Sequence, residues 1–192
     1  GTPWNPWDLK IHRIPGGSSS GTGSIVGSGL LPGGLGTDTG GSVRIPAALC
    51  GCVGLKTSIG MIGRSGIAPL SQTLDTAGPL ACDVTTAARI FAAMIGHDPD
   101  DPSTEDFRPI DPLRDLERGV AGLRIGRISD ADLTLATDEV KADLANSAAM
   151  LEKLGARIEP FKMPQSFESC TRATGVIIAS EGYANWRALI DD

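Results

Sequence analysis

The second half of the chain carries apolar residues at helical spacing, separated by charged and polar ones. Residues 138–154 present one apolar face, which predicts a helix that ends at Gly155. That face consists of Val140, Leu144, Ala148 and Leu151. Asp83 can cap an earlier helix that stops at Gly96. The apolar side of this earlier helix consists of Val84, Ala87, Ala88, Phe91 and Ile95. A last helix is predicted over residues 170–189.

Short apolar runs bounded by turn residues predict four strands. They span residues 35–38, 53–56, 123–128 and 157–161. A helix over residues 18–31 precedes the first strand, and a shorter helix over residues 45–49 follows it. Strands that alternate with helices are typical of a layered α/β fold. A chain of 192 residues is long enough for one domain with a sizeable core.

Glycine is concentrated in one third of the chain, where sixteen of the 25 glycines fall between Gly16 and Gly66. A flexible linker would also be rich in glycine. Here, however, the glycines are interleaved with apolar runs that favour burial, such as Ile25-Val26 and Leu30-Leu31. We therefore expect this segment to be folded, with main chains in close approach.

The charge balance and the cysteines limit the classes of partner. A formal net charge of −6 without a basic cluster argues against nucleic acid and anionic membranes as partners. We expect neither a membrane span nor a signal peptide. The four cysteines form no CxxC pair and lie far from both histidines in sequence. The sequence therefore predicts free thiols in a reducing, cytoplasmic compartment, and no metal site.

The first serine cluster, PGGSSSGTGS at residues 15–24, permits two interpretations. Serine is a good helix N-cap, so the cluster could serve only to begin a helix. Gly17-Ser18-Ser19-Ser20-Gly21 also matches the GxSxG elbow of the α/β-hydrolases, although no apolar strand precedes it as that motif requires. An esterase of that class would use Ser19 with a downstream acid and base. The candidates are Asp75 or Asp83 for the acid and His97 for the base.

The second serine lies in GLGTDTGGSVRIP, directly after two glycines. Such a stretch could be a surface turn. Alternatively, the glycines let backbone N–H groups converge beside the Ser42 hydroxyl, which would form an oxyanion hole next to a nucleophile. A serine nucleophile needs a base, and no histidine lies near Ser42 in sequence. A buried lysine, with a second serine from residues 18–20 as a proton relay, could take that role.

The chain resembles the amidase signature family in three stretches, which read PGGSSSG, GLGTDTGGSVRIPAALCGCVGLK and SGIAPLSQTLDTAGPLA. The resemblance implies a three-layer α/β/α fold with a mixed β-sheet. It also implies a Ser, cis-Ser, Lys triad, in which Ser42 is the nucleophile and Ser18, after a cis peptide bond at Gly17, is the bridging serine. The oxyanion hole would then be formed by backbone N–H groups of Thr39, Gly40, Gly41 and Ser42.

Three further residues have supporting roles in this interpretation. Asp38 and Arg44 flank the turn and are expected to brace it, and Ser19 is expected to add a hydrogen bond to the lysine. That lysine is expected upstream of the chain. Lys10 is too close to Ser18 in sequence, and Lys56 belongs to the GLK segment, which is mostly structural in the family.

Residues 1–192 are accordingly expected to be the central part of one amidase-signature catalytic domain. The lysine-bearing segment before it and a pocket-forming part after it would be absent, so the piece alone would be inactive. The predicted function is hydrolysis of a carboxamide C–N bond in a small molecule through an acyl-serine intermediate, without cofactor. The alternatives are the A subunit of an amidotransferase of the same family, a non-catalytic binding domain, and the esterase. The sequence leaves a homodimer open.

Overall fold

A computed structural model describes residues 2–192. Contacts divide the chain into two units, one formed by the described residues up to Arg114 together with Val176–Asp192, and the other by Asp115–Gly175. The helices are α1 (Ser20–Gly27), α2 (Arg44–Cys50), α3 (Val84–Met94), α4 (Asp138–Lys153) and α5 (Phe167–Ile190). The strands are β1 (Gly33–Asp38), β2 (Val53–Gly54), β3 (Thr76–Ala81), β4 (Arg124–Ile128) and β5 (Arg157–Phe161).

The first unit contains a three-stranded antiparallel sheet in the order β1-β3-β2. Gly33 pairs with Ala81 and Asp38 with Thr76, so the end of β1 lies beside the start of β3. The central strand β3 is buried along its whole length. Its Leu80 packs with Val43 and Ala47 in the core of this unit. The carboxyl end of β1 is thereby fixed next to the turn that leads into α2.

Two glycines of α1 allow close packing against α2. A Cβ at Gly23 would collide with Pro46, and one at Gly27 would collide with the carbonyl oxygen of Cys50. This confirms the expectation that the glycine-rich third of the chain is folded with main chains in close approach. The helix is shorter than the predicted 18–31, because Ser18 and Ser19 lie in a bend before it, and a turn at residues 28–29 and a bend at residues 30–32 follow it.

The second unit contains one β-α-β arrangement. Strands β4 and β5 pair in parallel, with Arg124 opposite Arg157, and α4 connects them. The side-chain oxygen of Thr137 accepts the N–H of Val140 at the start of α4, with Asp138 and Glu139 in the first turn. The predicted helix and strands of this part are confirmed. Helices and strands alternate along much of the chain, as the predicted α/β class requires, with antiparallel pairs in one unit and a parallel pair in the other.

Two further observations concern the chain as a whole. All four cysteines are free, with Cys50 buried and Cys82 and Cys170 exposed. Among residues 2–192, no helix combines the length and the apolar character needed to cross a membrane.

Candidate active site

The site is built on the turn between β1 and α2. Strand β1 ends at Asp38 and α2 begins at Arg44, so Ser42 lies in the short turn between them. Gly41 has a φ of 129°, a conformation that side-chain-bearing residues rarely adopt. The carboxylate of Asp38 accepts the N–H of Gly41 at 2.7 Å and the N–H of Val43 at 3.2 Å. The turn is therefore tied to the end of the strand that precedes it.

Asp38 and Arg44 form an ion pair across this turn. Arg44 Nε lies 3.0 Å from Asp38 Oδ2, and Nη2 lies 3.0 Å from Oδ1. The Asp38 side chain is 1% exposed and the Arg44 side chain 52%. Burial raises the pKa of Asp38, but hydrogen bonds from Arg44 and from the N–H groups of Gly41 and Val43 outweigh it and lower the pKa to about 2. The carboxylate is thus ionised at neutral pH, in the position where the sequence predicts a brace.

The first serine cluster lies directly beside this turn. The N–H of Ser19 donates to the carbonyl oxygen of Ser42 at 3.2 Å. The Gly17–Ser18 peptide bond is cis. The Ser19 hydroxyl donates to the carbonyl oxygen of Thr37 at 3.4 Å, and the Ser20 hydroxyl to that of Gly16 at 2.7 Å. Residues that are more than twenty positions apart in sequence are therefore joined by a direct main-chain hydrogen bond.

The structure corrects the predicted set of oxyanion-hole donors at one position. The N–H of Gly41 donates to Asp38 and is not available to a substrate. Within the described residues 2–192, the N–H groups of Thr39, Gly40 and Ser42 donate to no protein acceptor. Three of the four predicted donors therefore remain free, and the fourth stabilises the turn that carries them.

Asp75 is a supporting residue that the sequence did not assign to this arrangement. Its Oδ1 accepts the hydroxyl of Thr39 at 2.5 Å, and its Oδ2 accepts the N–H groups of Leu70 and Ser71. Asp75 is buried and precedes β3. Its partner Thr39 is 36 positions away, so only the pairing of β1 with β3 brings them together. In the sequence, the one sign of a role for Asp75 was its position immediately before the TAGPLA stretch.

Lys56 lies close to the end of β1 and contacts two main-chain oxygens and one side-chain oxygen. Its ammonium group donates to the carbonyl oxygens of Asp38 at 2.8 Å and Leu74 at 3.1 Å, and to Thr76 Oγ1 at 2.8 Å. Burial lowers the pKa of Lys56, although the nearby Asp38 opposes this effect. All three donor positions of the ammonium are thus used to connect the end of β1 with the start of β3. This geometry agrees with the structural role expected for the GLK segment.

The esterase alternative is not assembled. Nδ1 of His97 lies within hydrogen-bonding distance of Thr104, at 3.3 Å from both the carbonyl and the hydroxyl oxygen. Asp83 caps α3 by accepting the N–H of Thr86 at 2.7 Å. Asp75 is bonded to Thr39 and to the turn that precedes it. Each proposed partner of Ser19 is therefore engaged with other groups.

A cavity of about 600 Å³ opens beside the turn. Its lining includes Ser18, Thr37 and Thr39 from around this turn, together with Arg64 and Asp101. Arg64 Nε lies 3.2 Å from Asp101 Oδ2, and its Nη1 donates to the carbonyl oxygens of Gln72 and Asp75. Since this guanidinium is already paired, the described wall of the cavity offers a substrate little free positive charge.

Comparison with known proteins gives consistent results. A family model described as Amidase matches residues 1–191. The glutamyl-tRNA(Gln) amidotransferase A subunit of Rubrobacter xylanophilus is 42% identical over 163 residues, which cover 84% of this chain and 34% of that protein. The crystal structure of the corresponding A subunit from Thermotoga maritima superposes with a TM-score of 0.89 at 35% identity, over 97% of this chain and 40% of that one.

The native peptide amidase from Stenotrophomonas maltophilia superposes with a TM-score of 0.84 at 33% identity, over 95% of this chain and 37% of that one. These similarities confirm the predicted fold class. The chain spans between about a third and two fifths of the length of these proteins.

Proposed function

Since the chain belongs to the amidase family, we propose that it carries the nucleophile region of an enzyme that hydrolyses a carboxamide C–N bond. Ser42 is the nucleophile and Ser18 is the proton relay to a lysine contributed from outside the described residues. One observation carries the proposal. The Ser19 N–H to Ser42 carbonyl bond joins the first serine cluster to a turn with three unused N–H groups.

The chemistry follows from these positions. The Ser42 oxygen attacks the amide carbon while its proton passes to Ser18, which gives its own hydroxyl proton to the lysine. The negative charge on the amide oxygen is stabilised by the N–H groups of Thr39, Gly40 and Ser42. The C–N bond then breaks, and the nitrogen leaves as ammonia or an amine after taking the proton back from the lysine through Ser18. Water attacks the resulting ester of Ser42, so that the carboxylic acid is released and the serine hydroxyl is restored.

The test is active-site labelling of the full-length protein with a fluorophosphonate, together with ammonia or amine release from small amides. We expect Ser42→Ala to abolish both signals, because the attacking oxygen is removed. Ser129→Ala, an exposed serine of the other unit, is the matched control and should label like the wild type. His97→Ala should also label normally. Loss of labelling in His97→Ala, with retention in Ser42→Ala, would favour the esterase instead.

A second candidate is favoured by the names of the relatives. The Rubrobacter and Thermotoga proteins are A subunits of glutamyl-tRNA(Gln) amidotransferases, so under this candidate the amide nitrogen is transferred to glutamyl-tRNA(Gln). The two candidates differ in their acceptor. A free amidase releases ammonia from small amides regardless of tRNA, whereas an amidotransferase converts glutamyl-tRNA(Gln) when its partner proteins are supplied. A cytoplasmic location suits either candidate.

A further inference from the structure

One side of the 600 Å³ cavity is formed by residues 67–73, here termed the wall segment. Six of its residues line the cavity: Ile67, Ala68, Pro69, Leu70, Gln72 and Thr73. The wall segment contains neither helix nor strand. Without a regular backbone hydrogen-bond pattern, its shape depends on the bonds that side chains make to it. Those bonds come largely from α5 and from Asp75.

One face of α5 contacts the wall segment at successive positions. Trp186 Nε1 donates to the carbonyl oxygen of Pro69 at 2.7 Å. Asn185 Nδ2 donates to the carbonyl oxygen of Leu70 at 3.2 Å. Glu181 and Asn185 are four positions apart, which places their side chains on the same side of the helix, and Trp186 directly follows Asn185. The helix is therefore aligned along the wall segment rather than touching it at one point.

Glu181 makes the densest contacts on this face. Its Oε2 accepts the hydroxyl of Ser71 at 2.5 Å and the N–H of Thr73 at 3.1 Å, and its Oε1 accepts the hydroxyl of Thr73 at 2.7 Å. Ser71 is fully buried, whereas the residues on both sides of it line the cavity. A single carboxylate thus binds the Ser71 hydroxyl on the side away from the cavity and also binds Thr73, which lines the cavity. Hydrogen bonds to a charged acceptor are stronger than neutral ones.

Through Asp75, the same segment is bonded to residues 39–43, the turn that carries Ser42 and is here termed the nucleophile turn. Asp75 accepts the N–H groups of Leu70 and Ser71 at 2.8 and 2.9 Å, and it accepts the Thr39 hydroxyl on its other oxygen. Ser71 is therefore shared between Glu181 and Asp75. A shift of Ser71 would alter the cavity wall first, and it would alter Thr39 only through Asp75.

We propose that Glu181 is a positioning residue that fixes the cavity wall against which the amide substrate binds. This inference rests on the proposed function, since it assigns the cavity to the substrate. Because Glu181 acts on the wall rather than on Ser42 itself, its loss weakens substrate binding more than it slows the chemical step.

The experiment uses the full-length enzyme with the variants Glu181→Ala and Glu181→Gln. Glu168→Gln, at the exposed start of the same helix, is the control. Active enzyme is counted with a small fluorophosphonate, and kcat and KM are measured per labelled site with a small amide. For Glu181→Ala we expect KM to rise at least about tenfold while kcat changes less than about threefold, which is the pattern of lost ground-state binding. Glu181→Gln, which retains one acceptor oxygen, should fall between Ala and wild type.

Hydrogen exchange of residues 67–75 provides a readout that does not depend on turnover. Exchange should accelerate in Glu181→Ala and stay unchanged in the control. An unchanged KM with fewer labelled sites would show that Glu181 serves only stability and would overturn the inference, as would unchanged exchange. Absence of labelling in the wild type would instead refute the proposed function, so the two failures are distinguishable.

Discussion

The buried carboxylate of Asp38 offers the sharpest test of how the nucleophile turn is built. The substitution Asp38→Asn keeps the size of the side chain but removes its charge. It leaves one carbonyl oxygen as acceptor and points an NH₂ group at donors that Asp38 now satisfies. Those donors are the N–H of Val43 and the guanidinium of Arg44. A buried donor facing another donor loses its hydrogen bond without recovering one from water.

The magnitude follows from the contacts. A pKa lowered from 3.8 to about 2 corresponds to roughly 2 kcal/mol of native-state stabilisation. Because the Arg44 side chain is half exposed, screening by solvent reduces this to about 1–2 kcal/mol. The unsatisfied N–H of Val43 adds about 1 kcal/mol. We therefore expect Asp38→Asn to lower the free energy of unfolding by about 2–3 kcal/mol, and to reduce kcat by about 100-fold because the turn carrying the oxyanion donors shifts.

Urea denaturation of the full-length protein at several pH values measures the first quantity. The folded pKa lies below the ordinary value, so the contribution of Asp38 is complete above about pH 4 and is lost as the pH falls towards 2. The stability difference between wild type and Asp38→Asn should shrink in that window. Asp130→Asn, which removes an exposed ion pair with Arg127, should leave stability unchanged within error. Equal stability and equal kcat in Asp38→Asn and wild type would refute the assigned role of Asp38.

Three further outcomes are expected. Lys56→Met should lower the free energy of unfolding by about 2–3 kcal/mol in urea denaturation, because it removes the ammonium donor from the oxygens of Asp38, Leu74 and Thr76, of which the Asp38 oxygen keeps the Thr76 hydroxyl as a donor; a loss below about 1 kcal/mol would contradict this. Gly78→Ala should destabilise by about 3 kcal/mol, since its Cβ would overlap the carbonyl oxygen of Leu55, whereas Gly21→Ala in α1 has open space and should stabilise slightly in the same assay. In thiol titration, Cys50 should react only on unfolding, because burial both shields its thiol and raises its pKa; rapid reaction in the native protein would argue against this packing.

The elements that were predicted well are those whose pattern is local. Helix α4 and strand β5 were predicted within one residue, because an apolar face or a short apolar run identifies each without reference to distant residues. Helix α5 is longer than predicted, beginning at Phe167 instead of residue 170. The predicted strand over residues 53–56 is reduced to Val53–Gly54, although the N–H of Leu55 still donates to the carbonyl oxygen of Pro79.

Strand β3 was missed, although it is the central strand of its sheet. Its sequence, TAGPLA, contains Gly78 and Pro79 and is buried on both faces, so it shows no alternation of polar and apolar residues. Proline is tolerated here because in a strand the N–H and the C=O of one residue point the same way. The carbonyl oxygen of Pro79 faces Leu55, just beyond the end of β2. The missing N–H therefore removes no bond from the pairing with β1.

The residues of the candidate site likewise differ in how far they could be predicted from the sequence. Residues of the turn itself could be predicted from one continuous motif, because its glycines and serine are adjacent in sequence. Asp75 and Glu181 could not be assigned, since their partners Thr39 and Ser71 are 36 and 110 positions away and only the fold brings them together. A polar residue that acts through another polar residue leaves no periodic signal in the sequence.

The distribution of N–H groups in the nucleophile turn explains why Asp38 and Arg44 occur together. Asp38 accepts the N–H groups of Gly41, Val43 and Arg44, the last two at the start of α2, where N–H groups have no partner within the helix. In the proposed mechanism, the N–H groups of Thr39, Gly40 and Ser42 are left for a substrate oxygen. A buried carboxylate so close to a developing oxyanion would oppose it, because like charges repel strongly where water is excluded. The guanidinium of Arg44, paired with Asp38 through two bonds, cancels that charge, so the turn can be held by a carboxylate without raising the barrier to attack.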